Sequence, residues 1–129
     1  MMPSVFRYKS IRGRLAPIIT IGVKIEGLWY PIEAYVDSGA AYTLLRAQVA
    51  DGIGFDYRAG HQIYLQVGDG SFIPAYLHDL ELQVGREQFS TKVGFSDKLG
   101  IGFNLLGRTG IFERFKICFQ ESQGIITFD

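Results

Sequence analysis

The residues best suited to chemistry lie at Asp37-Ser38-Gly39-Ala40, directly after the apolar run Ala34-Tyr35-Val36. An apolar strand that ends in Asp delivers a carboxylate at the exit of a buried element. Ser38 sets a hydroxyl beside it, and Gly39 permits a sharp reversal and close approach of another backbone. By itself such a triplet is ordinary turn chemistry. A second feature stands about seventy positions on: Asn104-Leu105-Leu106-Gly107-Arg108 places two bulky apolar residues and a glycine just before a predicted helix. Asp-Ser-Gly occurs once in the chain.

Competing chemistries find less support. Gly100-Ile101-Gly102 lacks the G-x-G-x-x-G spacing, and no Walker lysine follows it. Ser38 has no G-x-S-x-G elbow, and neither His61 nor His78 has a triad context. Glu33 with Asp37 is a carboxylate pair suited to glycoside hydrolysis, but no further feature supports it. A single cysteine, Cys118, rules out an internal disulfide framework and a multi-Cys zinc site, and two histidines make a His-rich metal site improbable. Neither a metal nor a cofactor is therefore expected. Cys118 alternates with Ile117 and Phe119, which predicts a structural thiol in a strand. Thirteen basic residues balance thirteen acidic ones, so the phosphate-neutralising excess of a nucleic-acid binder is absent.

These groups need a scaffold, and 129 residues suffice for one domain spanning 1–129 with its own core. Residues 1–16 read as an N-terminal extension or leading strand. The first fifteen residues are basic with no apolar run, unlike a secretory signal, and Pro3 and their Ser-poor, β-rich character argue against a mitochondrial transit peptide; no apolar run approaches membrane length, so a cytoplasmic protein without membrane partners is expected. Ile19 to Glu26 alternates apolar and polar with period two, the mark of a half-buried strand. Glu26-Gly27 reads as a turn and Leu28 to Val36 as the returning strand, with Pro31 at an edge. Thr43 to Ala50 predicts a short helix ending at Asp51-Gly52. Ile63–Val67 and Ser71–Val84 form a hairpin around Gly68-Asp69-Gly70, where glycine supplies positive φ. Gln88 to Phe95 is a further strand, Gly107 to Phe115 a second helix, and Arg114–Phe119 with Ile125–Phe128 a last hairpin. Sixteen glycines among many β-branched and aromatic residues fit this turn-rich, mainly β pattern. The expected architecture is a small closed barrel with two short helices.

Taken together, Tyr35-Val36-Asp37-Ser38-Gly39-Ala40, Leu105-Leu106-Gly107 and the intervening hairpin Gln62 to Tyr76 resemble the retropepsin-type aspartic proteases. Their marks are a hydrophobic–hydrophobic–Asp–Thr/Ser–Gly–Ala loop, a later hydrophobic–hydrophobic–Gly, and a flap hairpin between them. The longer C-terminal tail is similar in layout to bacterial and DNA-damage-inducible-type cellular members. The resemblance implies a retropepsin-like barrel and an aspartic endopeptidase acting on a polypeptide. Two carboxylates about 3 Å apart cannot both ionise, and their split pKa values make an acid–base pair. With one Asp-Ser-Gly, the resemblance implies a homodimer in which Asp37 of each subunit meets near the twofold axis. Ser38 would then brace the two loops, and Gly39 would bring backbone close to water and substrate. Ala40 and the flap residues Val67, Gly68, Asp69, Gly70, Ser71, Phe72 and Ile73 would contact the peptide, with apolar walls from Val36, Leu99, Ile101 and Phe103.

Departures from the pattern give further expectations. Retroviral members usually carry an acidic residue after the Ala, paired with the arginine that follows the later glycine. Ala41 stands there, so Arg108 lacks that partner. A competing functional class is a catalytically silent barrel serving as a peptide-binding or dimerisation module.

Overall fold

A computed structural model describes residues 2–129. Twelve strands occur among them, in three sheets. The first three are β1 (Ser4–Arg7), β2 (Lys9–Ile11) and β3 (Arg14–Ala16). Next come β4 (Ile18–Ile25), β5 (Leu28–Val36), β6 (Thr43–Arg46), helix α1 (Ala47–Ile53), β7 (His61–Gln66) and β8 (Phe72–Val84). The chain ends with β9 (Glu87–Ser96), β10 (Asn104–Leu106), β11 (Ile117–Gln120) and β12 (Ile125–Phe128). The main sheet runs β4-β5-β10-β6-β9-β8-β7, and an additional β4–β8 pairing closes six of these strands into a barrel.

The period-two run forms β4, whose odd residues Ile19, Ile21, Val23 and Ile25 are all buried. With Leu45, Phe95 and Leu106 they fill the barrel. Each such side chain contributes about 1.5–3 kcal/mol by leaving water. Glu26 and Gly27 both take positive φ in the expected turn to β5, the backbone that matches strand twist in two-residue hairpins. Pro31 opposes Gly22 on β4, and β10 pairs with β5 only from Ala34 onward. The proline therefore sits where its missing N–H costs no ladder bond.

Two helix expectations are corrected in extent. Thr43–Arg46 is strand, and the helix begins at Ala47. Thr43, Leu44 and Leu45 are all buried because one face of β6 puts Leu45 in the main core and the other puts Leu44 in a second apolar cluster. A strand covered on both faces loses its alternation and imitates a helical run. The helix also continues past Asp51-Gly52 to Gly54, whose left-handed φ of 84° terminates it. The second helix is confined to one wide turn, Arg108–Phe112, interrupted by extended Thr109 and by Gly110 at φ 82°. Its apolar residues Ile111 and Phe115 do reach the core. The last hairpin starts at Ile117, with Gly124 left-handed at its turn.

Residues 1–16 were expected to extend or lead the barrel. From Ser4 onward they form β1, which pairs with β12, and the β2–β3 hairpin. Tyr8 fastens this segment by donating to Glu121 Oε1 at 2.9 Å. Burial and the neighbouring carboxylate push its phenol up to about 12. No helix among the described residues is long and apolar enough to cross a membrane.

Candidate active site

The topology accounts for the Asp37 loop. Strand β10 lies between β5 and β6, parallel to β5, with Leu106 opposite Val36. Residues 37–42 connect β5 to β6 and must therefore pass over the end of β10. The crossing is tight. A Cβ at Gly107 would lie 2.1 Å from the Tyr42 carbonyl oxygen and 2.7 Å from that of Ala40, so glycine is needed for clearance and not for φ, which is −107°. Three peptide N–H groups tie the two segments. Asp37 donates to Leu106 O at 3.0 Å, Arg108 to Ala40 O at 2.8 Å, and Thr109 to Ala41 O at 2.9 Å.

Within the loop, Asp37 Oδ1 accepts the Gly39 N–H at 2.8 Å. This Asx-type turn fixes the carboxylate plane, and the other oxygen, Oδ2, has no hydrogen-bond partner among the described residues. Asp37 and Ala40 are half-buried, while Ser38 and Gly39 are exposed. A Cβ at Gly39 would press on Asp37 Oδ1 at 3.1 Å. The guanidinium of Arg108 is exposed and makes no ion pair among the described residues. Its backbone N–H braces the loop instead.

The flap expectation corresponds to β7 and the start of β8. Phe72–Ala75 pair only with β7, whereas β8 gains β9 as a second neighbour from Tyr76. The hairpin thus projects beyond the barrel, held at its base by Ser96 Oγ donating to Pro74 O at 2.7 Å. Its inner face carries Ile63, Leu65 and Ala75. These join Leu44, Leu105, Tyr35, Ala40, Tyr42 and Leu99 in a second apolar cluster, separate from the main core. The cluster connects the flap's inner face to the Ala40–Tyr42 side of the Asp37 loop.

At the tip, Val67 is half-buried and Gly68, Asp69, Gly70 and Ser71 are exposed. Asp69 Oδ1 accepts both the Ser71 hydroxyl at 2.5 Å and the Ser71 N–H at 2.9 Å. The hydroxyl bond, then the backbone bond, hold the Asp69 carboxyl below its ordinary pKa. A folded pKa below the unfolded value favours the turn above the usual carboxylate range, and the gain is lost as pH falls through the folded pKa. The Asp69 carboxyl resonance should titrate below the range of an unstructured Asp, and Ser71→Ala, which removes the hydroxyl bond but keeps the backbone bond, should move it part of the way back. An unchanged titration in Ser71→Ala would contradict this cause.

The expected apolar walls separate. Val36 is 2% exposed and belongs to the main core, so it is not a wall. Ile73 is buried, Leu99 joins the second cluster, and Phe103 packs at a tilt against Tyr35, 5.7 Å between ring centres. Phe72 and Ile101 are exposed, and Phe72 alternates with Ile73 onto the flap's other face. His61 is exposed at the flap base, and His78 shares a 2.6 Å hydrogen bond with Tyr57 O. The structural thiol is corrected. Cys118 is exposed, because its side of β11 faces away from the core.

Two supporting residues escaped the sequence reading. Thr43, fully buried, accepts the Gly107 N–H at 3.2 Å through Oγ1. Its signal was a lone hydroxyl opening an apolar strand. Asn104 accepts the Arg46 N–H at 2.8 Å and donates to Glu33 O at 2.9 Å, locking β10 between its neighbours. Thr43→Val leaves the Gly107 N–H unpaired and should cost about 1–3 kcal/mol. Chemical denaturation measures this, and a stability equal to the parent would contradict the bond's role.

A family model described as "Aspartyl protease" matches residues 21–109. No curated protein sequence matches the chain. Among solved structures, a retropepsin-like aspartic protease from Rickettsia conorii superposes with TM-score 0.67 at 20% identity, covering 99% of this chain and 95% of its own. The EIAV protease bound to an inhibitor superposes with TM-score 0.53 at 17% identity, covering 78% and 88%. These likenesses establish the retropepsin-like barrel that the motifs implied.

Proposed function

Because the chain belongs to the aspartyl protease family, we propose that it is an aspartic endopeptidase whose working site is shared by two copies. Asp37 from each subunit supplies one carboxyl of the acid–base pair. The ionised member takes a proton from water as that water attacks the peptide carbonyl. The protonated member donates to the carbonyl oxygen. The tetrahedral intermediate then collapses, and its nitrogen leaves with a proton returned by the pair. Two apparent pKa values belong to the pair and not to either side chain.

The observation that carries this reading is the setting of Asp37. It lies half-buried on a loop braced from below by Leu106 and Arg108. One oxygen is fixed by the Gly39 N–H, and an apolar cluster leads from the loop to the flap. One carboxylate so placed is half of a pair, and a chain with one Asp-Ser-Gly has its twofold mate as the source of the other. Ser38, exposed beside Asp37, is available to brace the second loop. An extended peptide would lie between the loop and the flap. Backbone bonds to the hairpin and apolar side chains against Leu65, Leu99 and Phe103 would hold it. Cleavage of an unstructured polypeptide between about pH 4 and 7, blocked by a pepstatin-like inhibitor, is the expected result. Binding of the polypeptide without cleavage by a verified dimer would instead favour a silent peptide-binding module.

A further inference from the structure

We propose that a side pocket roofed by the β2–β3 hairpin takes an acidic side chain of the polypeptide, and that Arg46 is the residue that selects it. The proposal rests on the endopeptidase reading, which makes an extended polypeptide the ligand. A cavity of about 250 Å³ lies where β2, β5, β6 and β10 approach one another. Ile11, Ile18, Tyr35 and Phe103 give it apolar walls, and Glu33 and Arg46 give it charges. Ile11 reaches it from β2, which precedes the residues 21–109 matched by the family model.

Strand alternation joins this pocket to the cleft. Leu45 is in the main core, so its neighbours Leu44 and Arg46 share the opposite face. Leu105 pairs with both Leu44 and Tyr35, and all three belong to the apolar cluster beneath the flap. Arg46, Phe103 and Glu33 are the next residues on that face, each one step of alternation further from Asp37. Phe103 packs against Tyr35 across the two rows. The pocket therefore continues the apolar floor of the cleft outward.

Its two charges are not equivalent. Glu33 is neutralised, because Lys9 Nζ pairs with its Oε2 and also donates to Thr20 Oγ1 at 2.7 Å. Arg46 is half-buried, and its guanidinium makes no ion pair or hydrogen bond among the described residues. Only its backbone N–H is engaged, by Asn104 Oδ1 at 2.8 Å. An unpaired guanidinium among apolar walls suits a carboxylate, which it can hold through two parallel N–H···O bonds. A lysine side chain entering the pocket would be repelled.

Distance sets where the acid falls. At strand rise, the row containing Glu33 lies about 13 Å from Asp37, which an extended peptide covers in about four residues. A twofold dimer has two such pockets, so the preference should appear on both sides of the cleaved bond.

The test uses the Asp37→Asn protein, alone and with Arg46→Gln or Arg46→Glu added, each checked for fold by circular dichroism. The probe is a neutral, apolar, unstructured peptide, amidated at its C-terminus, with a single Glu, Gln or Lys moved along its length. Fluorescence anisotropy reads the affinity. At the best placement, Glu should bind at least about fivefold more tightly than Gln, the scale of a charge-assisted bond at a half-buried site. Arg46→Gln should bring that ratio to about one, and Arg46→Glu should turn the preference toward Lys. Added salt should shrink the preference when Arg46 is present, a readout that needs no change at position 46. The parent should show the same preference in kcat/KM for Glu placed about four residues from the cleaved bond. Equal binding of Glu and Gln at every placement overturns the pocket. So does a preference that ignores salt or survives in folded Arg46→Gln, and so does the absence of binding by every peptide. An Arg46-dependent Glu preference in a parent that cleaves nothing would keep the pocket and overturn the endopeptidase reading instead.

Discussion

Asp37→Asn is expected to lower peptide cleavage by at least about a thousandfold, within the range that positioned acid–base groups contribute. The substitution is nearly isosteric. An Asn oxygen can still accept the Gly39 N–H that Asp37 Oδ1 accepts at 2.8 Å. The loop should keep its shape, and the Leu106 and Arg108 bonds beneath it involve only backbone. What disappears is the exchangeable proton. In a shared site both halves lose it at once, so no carboxylate remains to activate water. Sedimentation and circular dichroism should match the parent while steady-state cleavage falls. A folded, dimeric variant that cleaves at the parental rate would remove Asp37 from the chemistry.

The second large effect is expected from a residue with no chemistry of its own. Gly107→Ala forces a methyl group to within 2.1 Å of the Tyr42 carbonyl oxygen. The obstruction is backbone and has no rotamer to escape into. Either the 37–42 loop lifts off β10 or β10 slides away, and each breaks the Asp37–Leu106 and Arg108–Ala40 bonds. Overpacking of this kind costs about 1–3 kcal/mol. Activity should fall with it, because the displaced loop carries Asp37. The midpoint of urea unfolding and the cleavage rate should drop together. A variant with parental stability and rate would show that the crossing has more room than its geometry indicates.

The sequence made some of this legible and hid the rest for physical reasons. Ile19 to Ile25 shows its strand because one face meets the core and the other meets solvent. Thr43 to Leu45 hides its strand because both faces are covered, so the run imitates the helix that begins at Ala47. Asp37 and Gly107 were each recognisable as local signals. That their two segments touch follows from the family resemblance and not from local pattern, since it depends on β10 threading between β5 and β6. Thr43 and Asn104 act only through that same non-local arrangement. Cys118 was misread because strand alternation gives a face but not its sign, and the core lies on the Phe119 side.

A mixing experiment tests the shared site most directly. Parent protein is equilibrated with increasing amounts of Asp37→Asn subunits, and cleavage per parental subunit is recorded. If each site needs Asp37 from both copies, an equal amount of the variant leaves about half the activity, and a ninefold excess about one-tenth, as random pairing requires. Activity that stays constant or rises across the series, with mixed dimers verified, would mean that one Asp37 suffices and would contradict the account.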